Sequence, residues 1–278
     1  MTVALIDSGL GLLPTAGWLR RLAPSVDLLL LLDPDGMPWG SKSARFITDR
    51  LLAAGEIAVG RGAQALVVPC NTATVTAIDT LRETFEPAVP VIGTVPAIKP
   101  AAAAGVPIAV WATERTTEST YQARLIAEHA DGVPVFRVAC PGLAEAVDRG
   151  DSAATTRAVA AAVERTPREC GSVVLGCTHY PLVSEQIMRS LPEATTLYDS
   201  AEAVARQALR RLGGHLGASD APPGRVDVVA SGRPAALPPA AHCYPVGRAL
   251  AAEAPMPIES LSPGVSVRAA ASAAALPE

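Results

Sequence analysis

Short apolar runs alternate with longer amphipathic stretches along most of the chain. Val3–Ile6, Val26–Leu32, Ala65–Val68 and Val89–Ile92 are strand-length with few or no polar positions, the pattern of strands covered on both faces. Thr15–Leu22, Arg45–Arg61 and a stretch ending near Phe85 carry helical spacing between them. The second half repeats the alternation. Strands are predicted at Ile108–Trp111, Val135–Ala139 and Val173–Leu175, with helices at Thr117–His129, Ala153–Glu164 and Ser200–Leu212. A Pro/Ala-rich stretch follows, holding one weak strand at Val226–Ala230, and the chain from Pro263 reads as a frayed Ala/Ser-rich tail.

Alternating strands and helices favour mainly parallel sheets, with ligands bound beyond the carboxyl ends of the strands. The unusual polar clusters all fall at such ends. One cluster echoes another: Val67-Val68-Pro69-Cys70-Asn71-Thr72 and Leu175-Gly176-Cys177-Thr178-His179 each place a cysteine and small polar residues after a strand. The two cysteines are 107 positions apart, about the length of one small α/β domain. Two such domains facing each other present one cysteine from each side of a cleft. The expected layout is a first α/β domain over 1–95, a second over 96–205, a segment over 206–262 that returns to the first, and the tail over 263–278.

Composition narrows the chemistry. The 278 residues are 49% hydrophobic and 18% charged, enough for a sizeable core and incompatible with global disorder. A net charge of −4 without a basic run does not suit nucleic acid, and no apolar run is long enough to span a membrane. The N-terminus enters a strand directly, without the basic and apolar regions of an export signal, so the cytoplasm is the expected compartment. Five cysteines, an odd number, suit a reducing compartment better than a disulfide framework. Lysine occurs only at Lys42 and Lys99. Neither follows a Gly-rich phosphate loop, which disfavours a pyridoxal-phosphate enzyme.

Cys140 and Cys170 read as small buried hydrophobes. Cys70 and Cys177 do not, because hydrogen-bonding side chains follow each directly. Each also stands where a strand passes into an expected helix, whose N-terminus lowers a thiol pKa. Paired thiols at such positions suit acid–base or nucleophilic work. His179, two positions after Cys177, is placed to set the protonation state of that thiol. Cys170, Cys177 and His179 lack the paired spacing and the fourth ligand of a zinc site, so no metal is expected. Asp7-Ser8-Gly9 is either a helix-capping turn or an acid leading off the first strand into a site.

Asp7-Ser8-Gly9-Leu10-Gly11, Pro38-Trp39-Gly40, Cys70-Asn71-Thr72-Ala73, Cys140-Pro141 with Val147-Asp148-Arg149-Gly150, Gly176-Cys177-Thr178-His179-Tyr180-Pro181 and Asp199-Ser200 occur in this order. Together they resemble the glutamate racemases of the aspartate/glutamate racemase family, over roughly Val3 to Leu261. The resemblance implies two pseudo-symmetric α/β domains with the active site in the cleft between them, and a reaction without a cofactor. Cys70 and Cys177 would be the two bases, Asp7 assisting Cys70, and His179 with Asp148 assisting Cys177. Asp7, Ser8, Trp39, Gly40, Asn71, Thr72, Thr116, Thr178 and His179 match positions that hold the amino acid. The partners in view are a small amino acid and a second copy of the chain in a homodimer, with neither nucleic acid nor membrane expected.

The chain departs from the family at three matched positions: Trp39 replaces tyrosine, Asp148 replaces glutamate, and Leu12 replaces a second loop glycine. Trp39 changes the pocket wall, the shorter Asp148 must still reach His179, and Leu12 can shift the Asp7 turn. Three other functions remain open on the residues alone: a racemase of different amino-acid preference, such as an aspartate or hydantoin type; an inactive amino-acid-binding homologue; and a cysteine hydrolase. The last leaves Cys70 without a role.

Overall fold

Leu28 to Leu32 offers five consecutive leucines and no polar face, so the segment is stable only as a strand covered on both sides. It forms the core of β2 (Asp27–Leu32), beside β1 (Thr2–Asp7), β3 (Ala65–Val68) and β4 (Val91–Gly93). The helices joining them are α1 (Leu13–Leu22), α2 (Ala44–Gly60) and α3 (Asn71–Phe85). The computed structural model describes residues 1–213, 222–262 and 264–266.

The next elements are α4 (Ile98–Ala102), β5 (Ile108–Ala112), α5 (Glu114–Glu118), α6 (Thr120–His129), β6 (Val135–Ala139), α7 (Leu143–Asp148), α8 (Ser152–Arg165), β7 (Ser172–Leu175), α9 (Ser184–Ser190) and β8 (Thr196–Tyr198). The chain then runs through α10 (Ala201–Arg211), β9 (Val226–Ala230), β10 (Arg233–Ala235), α11 (Pro245–Ala251) and β11 (Val265–Ser266). The strands make two sheets, in the orders β10-β9-β2-β1-β3-β4 and β11-β8-β7-β5-β6. All pairings are parallel except those of the edge strands β10 and β11. The fold is therefore α/β with mainly parallel sheets, as the alternation predicts.

One apolar core runs between the sheets. Val3, Leu5, Leu28 and Leu30 of the first sheet and Ala109, Trp111, Val173 and Leu175 of the second belong to a single buried cluster with residues of α1 and α10. Separate clusters cover the outer face of each sheet. Fixed on one shared core, the sheets direct β1, β3, β5 and β7 so that their carboxyl ends open toward the same space. The weak strand at Val226–Ala230 joins the first sheet beside β2. Arg20, almost fully buried, helps hold it by donating to the carbonyls of Val26, Gly224 and Arg225.

The structure corrects three local expectations. The helix expected over Thr117–His129 is two helices, broken at Ser119, whose hydroxyl accepts from the Gln122 N–H and restarts the chain as α6. No α-helix follows Cys177 directly: Pro181 lies in a 3-10 turn over Tyr180–Val183, and α9 begins only at Ser184. Part of the stretch expected to be frayed is a strand, since Val265–Ser266 pairs with β8; 267–278 lie outside the described residues.

Candidate active site

Asp7 ends β1 and is completely buried. Its Oδ1 accepts from the Ser8 N–H at 2.7 Å. Burial raises its pKa to about 6, against the lowering effects of His179, the Cys70 thiol and the Ser8 N–H. Cys70 follows β3 and stands at the cap position of α3. The expected helix-end effect does not decide its state. Burial, then the charge and hydrogen bonding of Asp7, push the Cys70 thiol well up, and the Ala73 N–H only partly opposes them. Cys70 is therefore held as a thiol.

Cys177 follows β7, with its sulfur 3.9 Å from His179 Nδ1. His179 Nε2 lies 3.2 Å from Asp148 Oδ1. Burial alone would lower the His179 pKa, but the Asp148 bond and Cys177 outweigh it and raise the value well above that of a free histidine. The shorter acid at 148 thus reaches its target. It does so from the end of α7, and the same oxygen accepts the Leu10 N–H of the β1–α1 loop at 2.7 Å. Gly9 and Gly11 make this approach possible. A Cβ on Gly9 would overlap the Asp148 carboxylate; one on Gly11 would overlap Asp7 and come within 2.6 Å of both His179 Nδ1 and Thr178 Oγ1.

A cavity of about 150 Å³ lies between these groups, below the usual size of a site for a drug-sized ligand and suited to a small metabolite. Ser8, Trp39, Gly40, Cys70, Asn71, Thr72, Thr116, Cys177, Thr178 and His179 line it. The other two expected residues, Asp7 and Asp148, stand one layer back, behind Cys70 and His179. Asn71 is buried and neither atom of its amide has a protein partner. Thr72 reaches across from α3 to the Thr113 and Thr116 hydroxyls, at 3.4 and 3.5 Å. A second groove, of about 980 Å³ around α9 and α11, contains Cys243 but none of the paired acid–base groups.

Sequence reasoning missed the Leu10 N–H, Thr113 and Arg115, all of which contact site elements. The Gly-Leu-Gly spacing beside Asp7 was the available signal for the first; Arg115 carried none. Among the described residues no group of three or more His, Cys, Asp or Glu side chains could hold a metal ion, and no helix is long and apolar enough to cross a membrane.

The sequence pattern of the Asp/Glu/Hydantoin racemase family matches residues 25–208. A glutamate racemase of Ectopseudomonas mendocina is 40% identical over 219 residues, covering 77% of this chain and 82% of that protein. One from Pseudomonas putida is 36% identical over 241 residues, covering 84% and 90%. Among solved structures, Escherichia coli glutamate racemase, in complex with L-glutamate and the activator UDP-MurNAc-ala, superposes with a TM-score of 0.74 at 31% identity, covering 87% of this chain and 91% of that one. The two facing sheets, the paired cysteines and these similarities agree: the chain belongs to the Asp/Glu/hydantoin racemase family, among its glutamate racemases.

Proposed function

We propose that the chain interconverts L- and D-glutamate by proton transfer between two sulfurs on opposite faces of the α-carbon. The observation that carries this reading is that Cys70 and Cys177 line one small cavity from different sheets, each beside its own proton partner. An amino-acid α-proton is very weakly acidic, so removing it needs positioned bases and preorganised charge. In one direction, the Cys177 thiolate takes the α-proton and forms an S–H bond, with the protonated His179 beside it. Cys70 gives its S–H proton to the opposite face and is left as a thiolate. The reverse direction starts from the opposite protonation: Asp7 accepts the Cys70 proton, and His179 returns one to Cys177. These steps use only the chain's own side chains.

The substrate's carboxylates and ammonium are assigned to Ser8, Asn71, Thr72, Thr116, Thr178 and the turn carrying Trp39 and Gly40. The unpaired amide of Asn71 supplies a donor and an acceptor for an amino acid. On this reading residues 1–95 and 96–205 are the two lobes around the substrate, and the described residues of 206–262, which leave out 214–221, complete the first. The protein works in the cytoplasm and makes D-glutamate for peptidoglycan, and a homodimer is the assembly to test for it.

Chiral chromatography of products from a panel of L-amino acids tests the assignment. Glutamate is expected to be racemised faster than aspartate; equal or reversed rates would move the assignment to a racemase of broader preference.

A further inference from the structure

The turn over Trp39–Ser41 is held from both sheets. On its own side, the Trp39 indole N–H donates to Asp33 Oδ2 at 2.9 Å. Asp33 is in turn held by Arg50, whose Nε donates to it at 2.8 Å, and by the Ser231 hydroxyl at 2.9 Å. From the other side comes Arg115, on α5 of the second sheet. Its Nε donates to the Gly40 carbonyl at 3.2 Å, and its Nη2 to the Lys42 carbonyl. Arg115 thus straps one wall of the cavity to the opposite one.

Arg115 is also the one arginine or lysine among the described residues lining that cavity. A guanidinium stays charged at every working pH and has five N–H donors, of which the two carbonyls occupy only two. Glu114, its neighbour on α5, and Glu145 of α7 line the same cavity, so without Arg115 the carboxylates of the lining would repel an anionic side chain. Glutamate carries two carboxylates and one ammonium. The charge of His179 is taken up by Asp148 and Cys177, so the neutral hydroxyls and amides leave the second carboxylate uncompensated.

We propose that Arg115 is a specificity-determining residue that selects amino acids bearing a second carboxylate, by bracing the 39–42 turn and placing the cavity's permanent cation beside it. This inference rests on the glutamate reading. It distinguishes the charge of Arg115 from its bracing role, because a brace alone would affect all substrates alike.

The test compares R115Q, which keeps donors for the two carbonyls but loses the charge, with R115K, which keeps the charge. Steady-state kinetics are measured with L-glutamate and L-glutamine, with thermal unfolding alongside. R115Q is expected to raise the glutamate KM by about 10- to 100-fold, the range of a lost charge-assisted bond, with kcat within about threefold and the preference for glutamate over glutamine falling by a similar factor. R115K is expected to retain most of that preference. An unchanged glutamate KM in R115Q, or equal losses on both substrates in both variants, would overturn the proposal. Should R115Q not fold, wild-type inhibition decides: glutarate is expected to bind at least about tenfold tighter than butyrate, and equal inhibition would overturn it. A wild-type enzyme without activity on glutamate would instead defeat the function reading.

Discussion

The two sides of the site solve the same problem with different materials. Around Cys70 both proton-transfer groups come from the first sheet: Asp7 leads off β1, Cys70 leads off β3, and burial tunes the acid to about 6. Around Cys177 the arrangement crosses between sheets: His179 is held by Asp148, and Asp148 by the Leu10 N–H of the opposite loop. One thiol is therefore paired with an acid made a better base by desolvation. The other is paired with a histidine kept protonated by its partners. The first side depends on burial, and the second on how the two sheets sit against each other.

The largest expected effect treats both sides alike. C70A and C177A should each reduce racemisation by about 10³-fold or more while leaving the fold intact, read by initial rates and circular dichroism. Mixing the two variants should not restore activity; recovery would show that subunits share a site.

The next effect separates the sides. D7N should reduce the rate by about 10²-fold and remove an acid limb near pH 6, because only ionised Asp7 can accept the Cys70 proton. The same substitution should stabilise the protein. The folded-state pKa of Asp7 is raised, so ionising it disfavours the native state, and stability is lost as pH rises from the unfolded value through about 6. At pH 7, D7N should recover at most about 3 kcal/mol in denaturant unfolding, and none at pH 3. A D7N protein less stable than wild type at pH 7 would contradict the burial account.

These effects also show what was legible beforehand. Strand ends were readable because a covered strand has no polar positions, so Asp7, Cys70 and Cys177 each mark where a run stops. The environment of the thiols was not. A helix terminus next to Cys70 argues for a lowered pKa, yet burial and Asp7 outweigh it, and burial is a property of packing. Asp148 lies in a six-residue helix too short for periodicity to reveal. Arg115 acts through carbonyls 73 and 75 positions away, a juxtaposition only the packed sheets create.

A smaller effect probes the contact between sheets. G9A places a methyl against the Asp148 carboxylate and should displace it from His179. About a tenfold fall in kcat is expected with KM within threefold, and a stability loss of about 1 kcal/mol. An equal effect on KM would assign Gly9 to substrate binding. The smallest change is expected from W39Y, which should leave the order of glutamate over aspartate intact, because Arg115 still braces the turn.

The central claim is that two sulfurs act on opposite faces, so that the proton removed is not the proton returned. Racemisation of L-glutamate in heavy water, stopped at low conversion and analysed by mass spectrometry of the separated enantiomers, tests it most directly. D-glutamate is expected to carry solvent deuterium from the first turnovers, while unreacted L-glutamate remains protonated. Early D-glutamate that retains the substrate's own hydrogen would contradict it.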